Sequence, residues 1–88
     1  MSERETGEKL MQDLIEYIAL SLVNDPLQVR VNQSQRGHNV EIRLQVAKED
    51  MGRVIGKHGR VANSMRNLLR VAAAREGKRA TLDIMEPR

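Results

Sequence analysis

Two glycines three residues apart divide the middle of the chain and constrain what can surround them. Val54-Ile55-Gly56-Lys57-His58-Gly59-Arg60 falls between two helical patterns, a short one with Met51, Val54 and Ile55 and a longer one with Val61, Met65, Leu68, Leu69, Ala72 and Ala73. Glu49 and Asp50 suit the first turn of the short helix, which Gly56 ends. The longer helix closes at Gly77. Strand patterns flank the pair. Val40, Ile42, Leu44 and Val46 alternate with Glu41, Arg43 and Gln45 before it; Ala80, Leu82 and Ile84 alternate after it, up to Pro87. Two strands joined by a helical crossover run parallel in one sheet.

The first half supplies the remaining elements. Leu10, Met11, Leu14, Ile15, Ile18, Ala19, Leu22 and Val23 recur at three- and four-residue steps, the period of an amphipathic helix of about four turns. Asn24-Asp25-Pro26 stops it. Leu27, Val29 and Val31 alternate as a strand, followed by a polar loop through Gln35-Arg36-Gly37-His38. The expected fold is α+β in the order α-β-β-α-α-β: a three-stranded mixed sheet covered on one face by three helices. Residues 1–7 lack an apolar period and are expected to be a flexible N-terminus, leaving 8–86 as a single domain.

Composition narrows the function. A chain of 88 residues suits one small domain with little room for a deep catalytic cavity. It has no cysteine, which removes disulfides, thiolate metal sites and cysteine nucleophiles. The longest apolar stretch, around Tyr17 to Val23, is too short to span a bilayer, and no signal peptide is visible, so a cytoplasmic protein is expected. Charge is segregated. Through Asp25 there are two basic and six acidic residues; from Pro26 onward there are thirteen basic and six acidic. Between Met51 and Arg75 lie six Lys or Arg and no Asp or Glu. A polyanion is the natural partner of such a face.

The glycine pair fits that partner. A Cβ at Gly56 or Gly59 would hold the main chain off a phosphodiester or forbid a positive φ. The helix opening near Arg60 would aim unpaired N–H groups at the same anion, and Lys57 and Arg60 add charge. The reading from the residues is a small RNA-binding module. Aromatic platforms are not its means: there is no Phe or Trp, and the one Tyr, Tyr17, sits in the first helix. That disfavours RRM and OB-type readers, which stack bases on aromatic rings.

At this point the residues resemble a known family. Val54-Ile55-Gly56-Lys57-His58-Gly59, set between two helices and followed by a helix and a strand, is similar to the signature of the K-homology (KH) domain. The element order resembles the type II arrangement of bacterial proteins, and a chain that is nearly all domain resembles the small single-KH proteins of the KhpA family. The resemblance covers roughly residues 8 to 86. It implies a G-x-x-G loop that clamps the backbone of about four single-stranded nucleotides. Gly56, Lys57, His58, Gly59 and Arg60 would then meet phosphate. Gly52, Arg53 and Ile55, with a neighbouring strand, would line the groove for bases. It also implies a role as post-transcriptional regulator or RNA chaperone, and pairing as a homodimer or with a larger KH protein. Ala62 departs from the pattern, since many KH domains carry Ile or Leu there, which bears on the width of the groove.

Other classes fit less well. His38 and His58, the only histidines, lie in separate loops without metal-ligand spacing, so no metal, cofactor or catalytic role is expected. The phosphate-binding pattern G-x-x-x-x-G-K-[ST] fails: Gly52 and Gly56 are four apart, and His58 stands at the hydroxyl position. Helix-turn-helix DNA binding remains an alternative, because an Arg-rich helix follows a glycine turn; against it, both helices lie between strands. An interaction subunit of a larger KH-protein complex is the other alternative.

Overall fold

The structure, a computed structural model, describes residues 3–87. Helix α1 (Glu3–Leu22) leads into strands β1 (Arg30–Arg36) and β2 (Asn39–Gln45), then helices α2 (Met51–Ile55) and α3 (Arg60–Arg75), and finally strand β3 (Arg79–Met85). Single 3-10 turns occupy Pro26–Gln28, Lys48–Asp50 and Lys57–Gly59. The sheet order is β1-β2-β3, with β1 antiparallel and β3 parallel to the central β2. This is the α-β-β-α-α-β order of the type II KH fold.

The alternation in β2 builds the core. Val40, Ile42 and Leu44 are buried together with Val46, while Asn39 and Arg43 face solvent. Met11, Ile15 and Ala19 of α1 and Met65, Leu69 and Ala73 of α3, each set at four-residue steps, close over them with Val54 of α2 and Leu82 of β3. The register Val31–Leu44–Ile84, Gln33–Ile42–Leu82 and Gln35–Val40–Ala80 crosses the sheet on that inner face. Helix α3 ends in a Schellman arrangement: Gly77 takes φ +67, its N–H donates to Ala74 O at 3.0 Å, and Lys78 N–H donates to Ala73 O at 2.8 Å.

Three local expectations shift. Helix α1 opens at Glu3, ahead of the first periodic residue, Leu10; part of the segment 1–7, residues 1 and 2, lies outside those described. Leu27 is not in a strand but in the 3-10 turn at Pro26, and it is 86% exposed. Proline presets φ for that turn, which Gln28 N–H to Asp25 O and Val29 N–H to Pro26 O complete, both at 3.2 Å. The strand then runs on through Gln35 and Arg36, two residues expected in a loop. Pairing Arg36 with Asn39 leaves Gly37 and His38 as a two-residue turn, with Gly37 at φ +57.

Candidate nucleic-acid interface

The Gly56–Arg60 segment links the C-terminus of α2 to the N-terminus of α3, and its backbone explains its residues. Gly56 has φ +80 and ψ 169, a conformation essentially confined to glycine. Its N–H closes α2 on Gly52 O at 2.9 Å. Packing forbids a side chain there as well, because an added Cβ would lie 2.5 Å from Val61 Cγ2 and 2.9 Å from the Val61 nitrogen. Gly59, at φ +74 and ψ 13, is left-handed but roomy; an added Cβ would meet only Asn63 Nδ2, at 3.9 Å. Between them His58 also takes a left-handed conformation, φ 57 and ψ 25. Such a conformation is uncommon outside glycine, although histidine tolerates it better than most residues.

Lys57, His58 and Arg60 are exposed, and among the described residues neither Lys57 nor Arg60 is ion-paired. Two cations thus flank a turn held by backbone geometry, at the opening of the sixteen-residue α3. The first N–H groups of such a helix have no partner within it, and its dipole favours an anion.

The residues expected on the preceding helix divide. Gly52 is exposed, and nothing lies within 4 Å of where its Cβ would be, so helix packing does not require glycine there. Ile55 is 37% exposed while its neighbour Val54 is fully buried, which puts Ile55 on the outer surface of α2. Arg53 is turned toward Asp50, Nε 3.5 Å from Oδ1, with about half its side chain in solvent. Ala62, where many KH domains carry a larger aliphatic residue, is 3% exposed and packed in the core.

Two features were not read from the sequence. Asp50 is not a solvated residue complementing a helix dipole: it is 2% exposed, and its two oxygens accept the Asn24 and Asp25 N–H groups, each at 3.0 Å. It fastens the exit of α1 to the start of α2. The second is the flank of α3 beside the edge strand β3, where Arg66 Nε and Nη2 both donate to Leu82 O at 3.4 Å. The only sequence signal was the spacing of Arg66 and Arg70 on one helical face.

Among the described residues, no helix is long and apolar enough to cross a membrane, and no group of three His, Cys, Asp or Glu could hold a metal ion.

Comparison with known proteins agrees with this fold. A family model described as "KhpA/KhpB, KH domain" matches residues 12–84. The chain is 43% identical over 76 residues to the RNA-binding protein KhpA of Halalkalibacterium halodurans, covering 86% of this chain and 100% of the relative. It is 43% identical over 75 residues to RNA-binding protein KhpA of Clostridium acetobutylicum, covering 85% and 100%. With RNA-binding protein KhpA of Treponema pallidum the identity is 46% over 76 residues, covering 85% and 94%. The chain belongs to the KhpA/KhpB family of KH domains.

Proposed function

We propose that this chain binds single-stranded RNA, without catalysis, by seating the sugar-phosphate backbone on the Gly56–Arg60 loop. The observation that carries the reading is the loop itself: three positive-φ residues, Gly56, His58 and Gly59, interleaved with exposed Lys57 and followed by exposed Arg60, at the N-terminus of α3. Lys57, His58 and Arg60 face the phosphates, and Gly56 and Gly59 let the backbone approach. Gly52, Arg53 and Ile55 lie on the side toward the bases, where the bare surface at Gly52 leaves room for a ring and Ile55 offers an aliphatic wall. The relatives named RNA-binding proteins support the same ligand. A post-transcriptional regulator or RNA chaperone is the role such a module fills.

Duplex DNA is a poorer fit. Both α2 and α3 lie between strands β2 and β3, and the turn joining them carries two glycines, which suits a strand of phosphates better than the tight corner of a helix-turn-helix. Competition of single-stranded RNA, single-stranded DNA and duplex DNA for the protein tests the reading: RNA should compete best, and preference for duplex would overturn it.

A single clamp of about four nucleotides gives limited affinity, and a second groove alongside raises effective concentration without new contacts. We infer that a second copy of this chain supplies it. Leu10, Leu14 and Tyr17 of α1 line an apolar groove with Ala72 of α3, and Leu68 and Val71 stand exposed beside it. Leu10, Tyr17, Leu68 and Val71 are 61, 73, 47 and 58% exposed. A larger KH protein is the alternative occupant of that face.

A further inference from the structure

Among the described residues Asp50 is the buried charge, and its carboxylate has three neighbours. Oδ2 accepts the Asp25 N–H at 3.0 Å. Oδ1 accepts the Asn24 N–H at 3.0 Å and lies 3.5 Å from Arg53 Nε. The two backbone groups are neutral, so among the described residues Arg53 is the one cation paired with this carboxylate. A buried charge left without its partner is costly, which ties the guanidinium to this place before any ligand arrives. The helix that carries Arg53 is held by the same group. With five residues α2 is too short to stand on its own propensity. Asp50, at its N-cap, does not cap it but reaches back to the exit of α1.

Turning Nε toward Asp50 leaves the other end of the guanidinium, the fork of Nη1 and Nη2, for a ligand. Half of the side chain is in solvent, and among the described residues the fork has no protein partner. Its charge, by contrast, is already matched. Unpaired Lys57 and Arg60 suit phosphate, whereas a guanidinium paired with a buried carboxylate adds little net charge and serves through its geometry. Two parallel N–H donors fit a base edge with two adjacent acceptors. Guanine has such an edge in N7 and O6. Cytosine has one in O2 and N3, which a single strand leaves open. Adenine and uracil offer no such pair. Beside Arg53, nothing lies within 4 Å of where a Cβ on Gly52 would be, so the approach is open.

We propose that Asp50 is a positioning residue for RNA: by holding Arg53 through Nε, it fixes the free fork so that the base beside Gly52 is selected as guanine or cytosine over adenine or uracil. Arg53 is the specificity-determining contact, and Asp50 acts through it. The inference rests on the reading that turns Gly52, Arg53 and Ile55 toward the bases, and it adds a base preference to that reading.

The test titrates labelled RNA tetranucleotides by fluorescence anisotropy: all uridine, and uridine with a single guanosine, cytidine or adenosine at each position in turn. Wild type, Arg53→Lys, Asp50→Asn and the loop variant Lys57→Asp/His58→Asp are compared, with thermal melts for each. The best guanosine or cytidine strand should bind the wild type about tenfold more tightly than its adenosine counterpart, the scale of one bidentate contact. A gain from guanosine should vanish with 7-deazaguanosine, which lacks N7; a gain from cytidine alone assigns the contact to O2 and N3. Arg53→Lys keeps the charge without the fork and should lose the preference. Asp50→Asn, assayed below its melting temperature, should lose it too, and in the Arg53→Lys background should change it no further. If Asp50→Asn does not fold, the Arg53 Nε–H resonance of the RNA-free wild type decides: set apart from those of the unpaired arginines it supports the anchor, and merged with them it overturns it. No preference, a preference for adenosine or uridine, or one that Arg53→Lys retains would overturn the proposal. The loop variant should lose affinity for every strand alike. Wild-type affinity in that variant, with the base preference intact, would overturn the loop reading instead and leave the Arg53 contact standing.

Discussion

Gly56 and Val61 are packed so closely that the space a Cβ would need at Gly56 is already filled by the Val61 side chain and nitrogen. The turn between α2 and α3 is therefore held by two constraints at its first glycine and by one at its second. Substitutions at the two positions separate packing from backbone conformation.

Gly56→Ala combines a glycine-only conformation with overpacking, and should cost about 2–4 kcal/mol of stability. Gly59→Ala meets no close neighbour and should cost about 1 kcal/mol through its φ alone. Gly59→Asn, a residue that tolerates the left-handed region, should cost less than Gly59→Ala. Urea unfolding of the three variants checks the order. Equal costs at Gly56 and Gly59 would contradict the packing described for Val61.

Gly52 offers a sharper separation of fold from function. It is helical, exposed and free of neighbours, so Gly52→Ala should stabilise the protein by about 0.5–1 kcal/mol. The added methyl would stand on the surface assigned to the bases, so RNA affinity should fall while the melting temperature rises. A variant that is stabilised with unchanged affinity would remove Gly52 from the interface.

Asp50 holds two backbone N–H groups with two oxygens. Asn at this position keeps the volume but turns one acceptor into a donor facing an N–H. Asp50→Asn should cost about 2–3 kcal/mol, the penalty for leaving a buried donor unsatisfied. Arg53 would also be released from its ion pair with Oδ1. Denaturant unfolding tests the cost; a change below about 0.5 kcal/mol, the range of ordinary surface substitutions, would contradict the clamp.

The apolar face of α1 and α3 predicts self-association. Sedimentation at tens of micromolar should show a dimer for the wild type and a monomer for Tyr17→Glu/Leu68→Glu. Both side chains are exposed in the single chain, so the variant should stay folded, and its melting temperature should lose the concentration dependence that association gives the wild type. A wild type that is monomeric alone and with RNA would rule out the second copy and turn attention to a larger KH protein.

Where side-chain period and backbone need coincide, the sequence is legible. The alternation of Val40, Ile42, Leu44 and Val46 announced the central strand, and the paired glycines announced the loop between α2 and α3. Leu27 misled because its place in an apolar alternation was undone by Pro26, whose fixed φ favours the 3-10 turn. Gln33 and Gln35 concealed the length of β1, since polar residues on its inner face carry no apolar period. Asp50 read as a helix-start residue because its partners, Asn24 and Asp25, are distant in sequence. The contact of Arg66 with Leu82 O depends on α3 lying beside β3, a juxtaposition that no local pattern encodes.

The central claim is that RNA lies on the Gly56–Arg60 loop. Fluorescence anisotropy of single-stranded RNA with wild type and with Lys57→Asp/His58→Asp, over a salt series and beside circular dichroism, tests it most directly. Two exposed side chains contribute little to the core, so the variant should remain folded. It should lose at least tenfold in affinity, about 1.4 kcal/mol, and its salt slope should shallow by about 0.7 for each phosphate it no longer neutralises. A folded variant that binds RNA with the wild-type affinity and slope would contradict the account.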